Sequence, residues 1–455
     1  MPFVRFLILA VCINSFCGSF MGSSIFIAIP ALSSDFGVPP EYITAVINAY
    51  VIAVTAFLVP TIAIVQRIGH KRGFVLGSLV SAVTSVMIAL SPNFYSLIVF
   101  RTLQGLSNAF IFSTTYALLI DNIDNKSKGS AIGMTTACVY AGISCAPFLG
   151  GFLTDNIGWW SMFIISACGN FSAALLCRSI PTDSPEPHKI PYLKGILSLV
   201  GFVTFFTGLS MFINNRDGFY LLGVGIVLLC IYVYRELTTR NPLLKISLII
   251  ENRVLNGSLL SSMFHYLATF AITMLLSMHL QLINGYSASM AGIILVIQPV
   301  VQCLVSPFAG KAADRYSPHM ISFIGLLISG SSLCILSFIE PRTHFGLIAL
   351  AQFLSGLGFG LFSAPNSTII MSSVPREYYA MGSGMQALVR NSGMAFCMAM
   401  VTSVLFYAIN SEEGTTLYIR ELSLAMQIIF SLSALLTLIS AIFLFRSFSA
   451  LRKSA

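Results

Sequence analysis

Apolar runs of about twenty residues, separated by short polar segments, dominate the pattern of this chain. A helix of about twenty apolar residues is long enough to cross the hydrocarbon core of a bilayer. The pattern therefore predicts an all-α polytopic membrane protein. The predicted spans number about fourteen and lie near residues 6–30, 42–65, 74–91, 94–120, 129–153, 160–178, 192–213, 218–235, 255–280, 287–310, 319–339, 344–370, 381–408 and 421–446.

Composition agrees with this pattern. Of the 455 residues, 56% are hydrophobic and only 9% are charged, whereas soluble domains carry about 25% charged residues. The ten cysteines lie inside apolar runs and form no Cys-x-x-Cys pair, so we expect neither a metal site nor a cofactor. The basic excess is spread over short loops, which is not the pattern of a nucleic-acid-binding protein.

The positive charges indicate the orientation of the chain. With the N-terminus inside, most Lys and Arg residues lie at cytoplasmic ends or in cytoplasmic loops, and only Arg216, Arg342 and Arg420 lie outside. An even number of spans then places both termini in the cytoplasm. We expect a multi-pass protein of the cell (cytoplasmic) membrane.

Two neighbouring spans carry polar and small residues at helical spacing. In the fourth span, Arg101, Gln104, Gly105 and Asn108 stand on one helix face. An arginine inside a membrane helix costs about 3 kcal/mol on insertion scales, so it usually faces a bundle interior or a wet cavity. The fifth span carries small residues around a proline, a spacing that allows close helix packing: Gly142, Ala146, Pro147, Gly150 and Gly151.

These two stretches resemble motifs B and C of the major facilitator superfamily. Motif C is associated with exporters of the drug:proton antiporter families, and Ala146 stands where that family usually has glycine. Two loops resemble motif A, which that family uses as a charge-linked latch between helices. The predicted latch residues are Arg67, Gly69 and Lys71 in the first loop and Gly310, Asp314 and Arg315 in the second.

The two latch loops also reveal an internal repeat. Arg67 and Arg315 are 315 − 67 = 248 residues apart, and Gly105 recurs as Gly356 after 356 − 105 = 251 residues. The resemblance implies the major facilitator fold, with two six-helix bundles plus a two-helix insert, as in the 14-helix drug:proton antiporter family. We predict an N-terminal bundle over 1–180, a cytoplasmic linker and insert over 181–240, and a C-terminal bundle with a short tail over 241–455.

The chain departs from that family at the residue used for proton coupling. The family places an acid in the first helix, nine residues before an Ala-x-Pro, and Met21 occupies that position before Ala28-Ile29-Pro30. No Asp or Glu lies near the middle of any predicted span. Two arginines, Arg101 and Arg390, remain inside, so we expect a cationic or neutral cavity and an anionic, zwitterionic or neutral aromatic substrate.

His265 lies near the middle of the ninth predicted span and titrates near neutral pH when unperturbed. It is the candidate for proton coupling, and the alternative is a hydrogen-bonded core histidine. The arginines also have a structural alternative, in which they bind backbone carbonyls or extend to an interface. The other cavity candidates, which equally suit bonds between helices, are Tyr50, Tyr140, Gln298, Asn366 and Gln386.

The sequence carries no catalytic triad, phosphate-binding loop or soluble domain, so we do not expect an enzyme or an ATP-driven pump. The predicted function is secondary-active export of small organic molecules by alternating access, coupled to protons. The alternatives are uptake of a small neutral or anionic, vitamin-like aromatic metabolite, and a transporter-derived sensor without translocation. The expected partners are the lipid bilayer, a small-molecule substrate and protons, and we expect a monomer.

Overall fold

The computed structural model describes residues 2–123, 128–178, 192–212, 215–239, 242–375 and 378–454. Within these ranges the regular structure is helical and contains no strand. The α-helices are α1 (Pro2–Ser24), α2 (Ile29–Phe36), α3 (Pro40–Ile68), α4 (His70–Ala89), α5 (Phe94–Asn122), α6 (Lys128–Asn156), α7 (Trp160–Cys177), α8 (Tyr192–Met211), α9 (Arg216–Thr238), α10 (Ile246–Glu251), α11 (Arg253–Thr269), α12 (Ile272–Met278), α13 (Ala288–Leu295), α14 (Ile297–Arg315), α15 (Pro318–Leu336), α16 (Phe345–Ser372), α17 (Tyr379–Ala408) and α18 (Thr416–Ser454). A short π-helical segment, His279–Ile283, follows α12.

Thirteen segments of the described chain are long and apolar enough to cross a membrane. Each coincides with one of the predicted runs. The remaining run is α5, which has 29 residues but is not among the thirteen, because Arg101, Gln104 and Asn108 lower its hydropathy. The predicted all-α membrane architecture is therefore confirmed.

Three predicted spans are interrupted in the structure, and one of them is the tenth run, 287–310, which is divided between α13 and α14. The first run, 6–30, contains the end of α1 at Ser24 and the start of α2 at Ile29, with Pro30 in the first turn of α2. Proline suits a first helical turn because the amide hydrogen it lacks would have no partner there. The ninth run is likewise divided between α11, α12 and the π-helical segment.

The chain forms two compact units. Unit 1 comprises Met1–Phe205, Leu221–Tyr232 and Ser287–Gly292. Within it, α1 packs on α6 and α7, α3 and α4 pack on α5, and α4 also packs on α7. One core cluster of this unit consists of Leu7, Ala10, Val11, Phe74, Ile111, Leu118, Leu119, Ile123, Ala131, Ala173 and Cys177.

Unit 2 comprises Phe206–Tyr220, Val233–Tyr286 and Ile293–Ala455. Within it, α11 packs on α17 and α18, α14 and α15 pack on α16, and α15 also packs on α18. The same scheme of helix pairs therefore occurs in both units, as an internal repeat requires. The boundaries predicted at 180 and 240 stay a prediction, since residues 179–191, 240 and 241 lie outside the described residues.

Candidate functional site

A small polar pocket lies within unit 1, between α1, α3, α4, α5 and α7. The space between these helices is about 230 Å³ when the solvent at its opening is counted, and the enclosed cavity is about 10 Å³, room for about one water molecule. Four predicted cavity residues line it together: Tyr50, Arg101, Gln104 and Asn108. The other lining residues are Gly18, Met21, Gly22, Ser81, Ser166 and Asn170.

The side chain of Arg101 is the main charged feature of this pocket. It is 1% exposed although it is one of the largest side chains in the protein. Its Nη1 donates to Gln104 Oε1 at 2.6 Å, and its Nε donates to the carbonyl oxygen of Val46 at 3.5 Å. The guanidinium carbon lies 4.4 Å from the ring centroid of Tyr50, a cation–π contact. Arg101 thus has neutral partners only, and no carboxylate pairs with it within the described chain.

The close approach of α3 and α5 brings the Tyr50 ring to Arg101. The two helices meet at Gly105, one turn beyond Arg101. A Cβ atom built on Gly105 would lie 2.6 Å from the Cβ of Ala53 and 2.7 Å from the backbone oxygen of Tyr50. Only glycine fits this contact without a shift of α3. The helical spacing of Arg101 and Gly105 therefore places the charge directly beside the point of closest packing.

Hydrogen bonds hold the polar side chains of α5 in place. Gln104 Nε2 donates to Ser85 Oγ at 2.8 Å, and Asn108 Nδ2 donates to the carbonyl oxygen of Gln104 at 3.0 Å. The Gln104 amide therefore accepts from Arg101 within α5 through its oxygen and donates to α4 through its nitrogen. The arrangement orients the guanidinium and leaves its remaining N–H groups for the pocket.

A second network crosses the pocket wall between α1, α4 and α7. Asn14 Nδ2 donates to Asn170 Oδ1 at 2.9 Å, and Asn170 Nδ2 donates to the hydroxyl oxygens of Ser81 and Ser166, each at 3.2 Å. Sequence reasoning missed Ser81, Ser166 and Asn170. Serine and asparagine are scattered through many spans of this chain, and only the packing of three helices distinguishes these three.

Met21 lies in the pocket wall and is 4% exposed. It stands at the position where the resemblance implied an acid. No Asp or Glu occurs among the residues that line this pocket. The formal charge of the lining is therefore positive and comes from Arg101.

None of the predicted latch residues is among those that line this pocket. Gly69 has a positive φ of 92° in the turn between α3 and α4, and Lys71 Nζ donates to the carbonyl oxygen of Arg178 at 3.2 Å. Arg67 is exposed near the end of α3. In the second loop, Gly310 and Arg315 belong to the last turns of α14, and the side chain of Asp314 lies outside the described residues. The latch role stays a prediction.

The small residues of α6 lie close to the backbone of α1. A Cβ atom on Gly142 would meet the backbone of Phe16 at 2.5 Å, and one on Gly150 would meet the Cβ of Ser24 at 2.8 Å, both on α1. Ala146 is fully buried and Pro147 lies inside the helix. Gly151 faces the backbone of Ala288 at the start of α13.

Asp155 strengthens the same junction. One carboxylate oxygen accepts from the backbone N–H of Ala288 at 3.2 Å, and the other accepts from the backbone N–H of Ser289 at 2.7 Å. A carboxylate at a helix start satisfies free amide groups and interacts favourably with the helix dipole. The side chain therefore ties the end of α6 to the first turn of α13.

The remaining predicted residues are not in the pocket. Tyr140 is half-buried on α6. In unit 2, Asn366 Nδ2 donates to the carbonyl oxygen of Ser258 at 3.2 Å, and Gln386 Nε2 donates to Ser367 Oγ at 2.6 Å. These two amides thus make the interhelical bonds that the sequence left open as an alternative.

Two further predicted residues of unit 2 are Arg390, which is half-buried on α17, and Gln298, which is buried on α14. Arg101 and Arg390 therefore belong to different units. His265 is fully buried, and its ring lies 5.0 Å from that of Phe359 and 4.4 Å from that of Phe362. Neither of its ring nitrogens has a hydrogen-bond partner among the described residues, in contrast to the hydrogen-bonded core histidine weighed from the sequence.

Long apolar helices repeated in two units, with a buried polar pocket, define a polytopic membrane transporter rather than an enzyme. The profile described as Major Facilitator Superfamily matches residues 11–249 and 258–454, and the chain belongs to this family. Its resemblance to drug:proton antiporters, stated from the motifs, is confirmed by the relatives. The multidrug export protein EmrB of Escherichia coli (strain K12) is 24% identical over 390 residues, which cover 83% of this chain and 75% of EmrB.

A second relative is named for the transport of one metabolite and not for multidrug export. The riboflavin transporter RibZ of Clostridioides difficile (strain 630) is 26% identical over 421 residues, which cover 90% of this chain and 91% of RibZ. Among solved structures, an inward-facing, unoccupied bacterial homologue of the human lysosomal transporter Spinster has a TM-score of 0.70 at 14% identity, covering 99% of this chain and 98% of that one. This last likeness shows the fold alone.

Proposed function

We propose that this secondary transporter carries small neutral or anionic aromatic molecules, and not lipophilic cations, by alternating access. The observation that carries the proposal is the buried guanidinium of Arg101 in a pocket that no carboxylate lines. A buried charge without a counter-charge is unfavourable, and a positive one stabilises a bound anion or the electron-rich face of a neutral aromatic ring. A cation would meet repulsion at the same place.

Two further observations support an aromatic substrate. Tyr50 presents its ring beside Arg101, where a flat ligand can stack. Met21 adds a flexible apolar surface to the same wall, and a thioether makes favourable contacts with aromatic rings. A riboflavin transporter among the relatives handles a molecule of this class.

We propose export from the cytoplasm as the direction, because the close packing along α6 resembles the motif that exporters share. In this proposal both termini are cytoplasmic, the protein works as a monomer in the cytoplasmic membrane, and His265 carries the coupling proton. Uptake is the second candidate direction. It is favoured by Met21 at the position of the family's coupling acid, since export against a gradient needs a coupled ion.

The test is transport in sealed proteoliposomes under pH gradients of either sign. The three probes are riboflavin as a neutral aromatic solute, fluorescein as an aromatic anion and ethidium as a lipophilic cation. We expect movement of riboflavin and fluorescein and little movement of ethidium, and the sign of the gradient that drives accumulation gives the direction. Transport of ethidium without transport of either other probe would refute the proposal.

A further inference from the structure

Unit 2 contains a second group of buried polar side chains, separate from the pocket at Arg101. These residues are between 0% and 9% exposed, and each has at least one side-chain polar atom without a hydrogen-bond partner among the described residues: His265, Gln298, Ser329, Gln352 and Ser355. Buried polar groups in native proteins are nearly always hydrogen-bonded. A concentration of unpaired groups therefore points to a ligand or to bound water.

All five converge on two turns of one helix, residues 352–359 of α16. Gln352 and Ser355 belong to this stretch. The backbone oxygen of Gln298 faces Gly356, and the hydroxyl of Ser329 faces Gly358. The ring of His265 lies against Phe359. Eight helical residues span only about 10 Å, so the five residues lie along one part of α16.

The internal repeat relates this group to the pocket of unit 1. In unit 1 the backbone carbonyl of Tyr50, on α3, lies against Gly105 of α5. In unit 2 the backbone carbonyl of Gln298, on α14, lies against Gly356 of α16 in the same way. The separations are 356 − 105 = 251 and 298 − 50 = 248. These equal the two separations found in the sequence, so α5 corresponds to α16 and α3 corresponds to α14.

The 251-residue separation gives the counterparts of the charged face of α5. Arg101 corresponds to Gln352, because 101 + 251 = 352, and Gln104 corresponds to Ser355, because 104 + 251 = 355. The fixed cation of unit 1 is thus replaced in unit 2 by a neutral carboxamide. Both the oxygen and the nitrogen of this carboxamide lack partners in the described part of the chain.

The other two members also have counterparts in the unit 1 pocket. Gly77 faces the carbonyl of Ser107, as Gly325 faces that of Gly358, and 325 − 77 = 248. The same separation makes Ser329 the counterpart of Ser81, since 81 + 248 = 329.

For the first helix of each unit, Gly142 faces the carbonyl of Phe16, as Gly393 faces that of Met263, and 263 − 16 = 247. His265 is then the counterpart of Gly18, since 18 + 247 = 265. The five unpaired residues are therefore the structural equivalents of residues that line or contact the pocket in unit 1.

We propose that unit 2 holds a second, uncharged subsite, formed chiefly by Gln352, Gln298 and Ser355, for a neutral group with both a hydrogen-bond donor and an acceptor, such as a cyclic imide or a carboxamide. The subsite deepens the proposed function, on which it rests, because it adds an uncharged donor and acceptor to the chemistry expected of the transported molecule. A carboxamide donates through nitrogen and accepts through oxygen. It therefore matches the adjacent C=O and N–H of an imide.

The test uses the full-length protein in lipid nanodiscs with two probes that differ in one donor. Riboflavin carries a cyclic imide, and N3-methylriboflavin lacks its N–H. We expect the wild-type protein to bind riboflavin about tenfold more tightly, because a site built for a donor leaves its acceptor unpaired when that donor is missing. The variant Gln352→Met should bind riboflavin at least about tenfold more weakly and no longer distinguish the two probes.

Thermal stability without ligand provides an independent measurement. Gln352→Met removes two unpaired buried polar atoms and should raise the melting temperature. The matched control is Gln427→Met, which removes an amide whose Nε2 donates to the carbonyl oxygen of Ile339 at 2.9 Å and should lower it. Ser355→Ala is the second test variant and should also raise the melting temperature while weakening riboflavin binding.

The outcomes separate this inference from the proposed function. Binding of fluorescein without binding of riboflavin would overturn the second subsite alone. Failure of both probes to bind would overturn the subsite and the proposed substrate class together. If Gln352→Met binds riboflavin with wild-type affinity, only water occupies the group. If Gln352→Met lowers the melting temperature, Gln352 has a structural role. Either result would overturn the inference.

Discussion

The contact between α3 and α5 at Gly105 leads to a sharp prediction. In Gly105→Ala the new Cβ would lie 2.6 Å from the Cβ of Ala53 and 2.7 Å from the carbonyl oxygen of Tyr50, while ordinary contacts begin at 3.4 Å. Helix α3 must therefore retreat by about 3.4 − 2.6 = 0.8 Å. Overpacking of this kind costs about 1–3 kcal/mol. The Tyr50 ring, now 4.4 Å from the Arg101 guanidinium, would move away with its helix.

The matched control is Gly133→Ala, because a Cβ on Gly133 of α6 meets nothing within 4 Å. Both substitutions gain the same stability from helix propensity, about 1 kcal/mol. The difference in stability between the two variants therefore isolates the effect of packing. We expect Gly105→Ala to melt several degrees below Gly133→Ala and to transport fluorescein more slowly, as measured in nanodiscs and proteoliposomes. Equal melting temperatures together with wild-type transport would refute the idea that this close approach builds the pocket.

Three further predictions concern single side chains. Arg101→Gln should weaken fluorescein binding by about tenfold or more, because the charge-assisted contact is lost, and riboflavin binding should fall less; equal losses for the two probes would contradict this. His265→Gln should abolish the dependence of transport on the pH gradient and leave solute exchange intact, and unchanged gradient dependence would exclude a coupling role. Asp155→Ala should destabilise the protein by about 0.5–2 kcal/mol through the lost helix cap, with the exposed Asp217→Ala as control; equal melting temperatures would show that the cap contributes little.

Most of the fold could be predicted from the chain because membrane insertion follows local rules. About twenty apolar residues suffice to cross a bilayer whatever their neighbours are, so the predicted spans match the observed helices. The spacing of Arg101 and Gly105 places both on one helix face, and this local geometry was enough to identify the charged face of the pocket. Met21 was recognised because the family resemblance implies an acid nine residues before Pro30.

The rest of the site depended on contacts between helices distant in the chain. Ser81 and Asn170 became pocket residues because α4 and α7 meet, and nothing in their own segments separates them from other polar residues. Gln352 became notable only when both of its amide atoms proved to be buried without partners. The helices, their repeat and the positive charge of Arg101 can be predicted from the chain, since they depend on composition and on spacing along it. Which polar groups have hydrogen-bond partners follows from the packing of the helices, because a hydrogen bond requires a partner within about 3 Å.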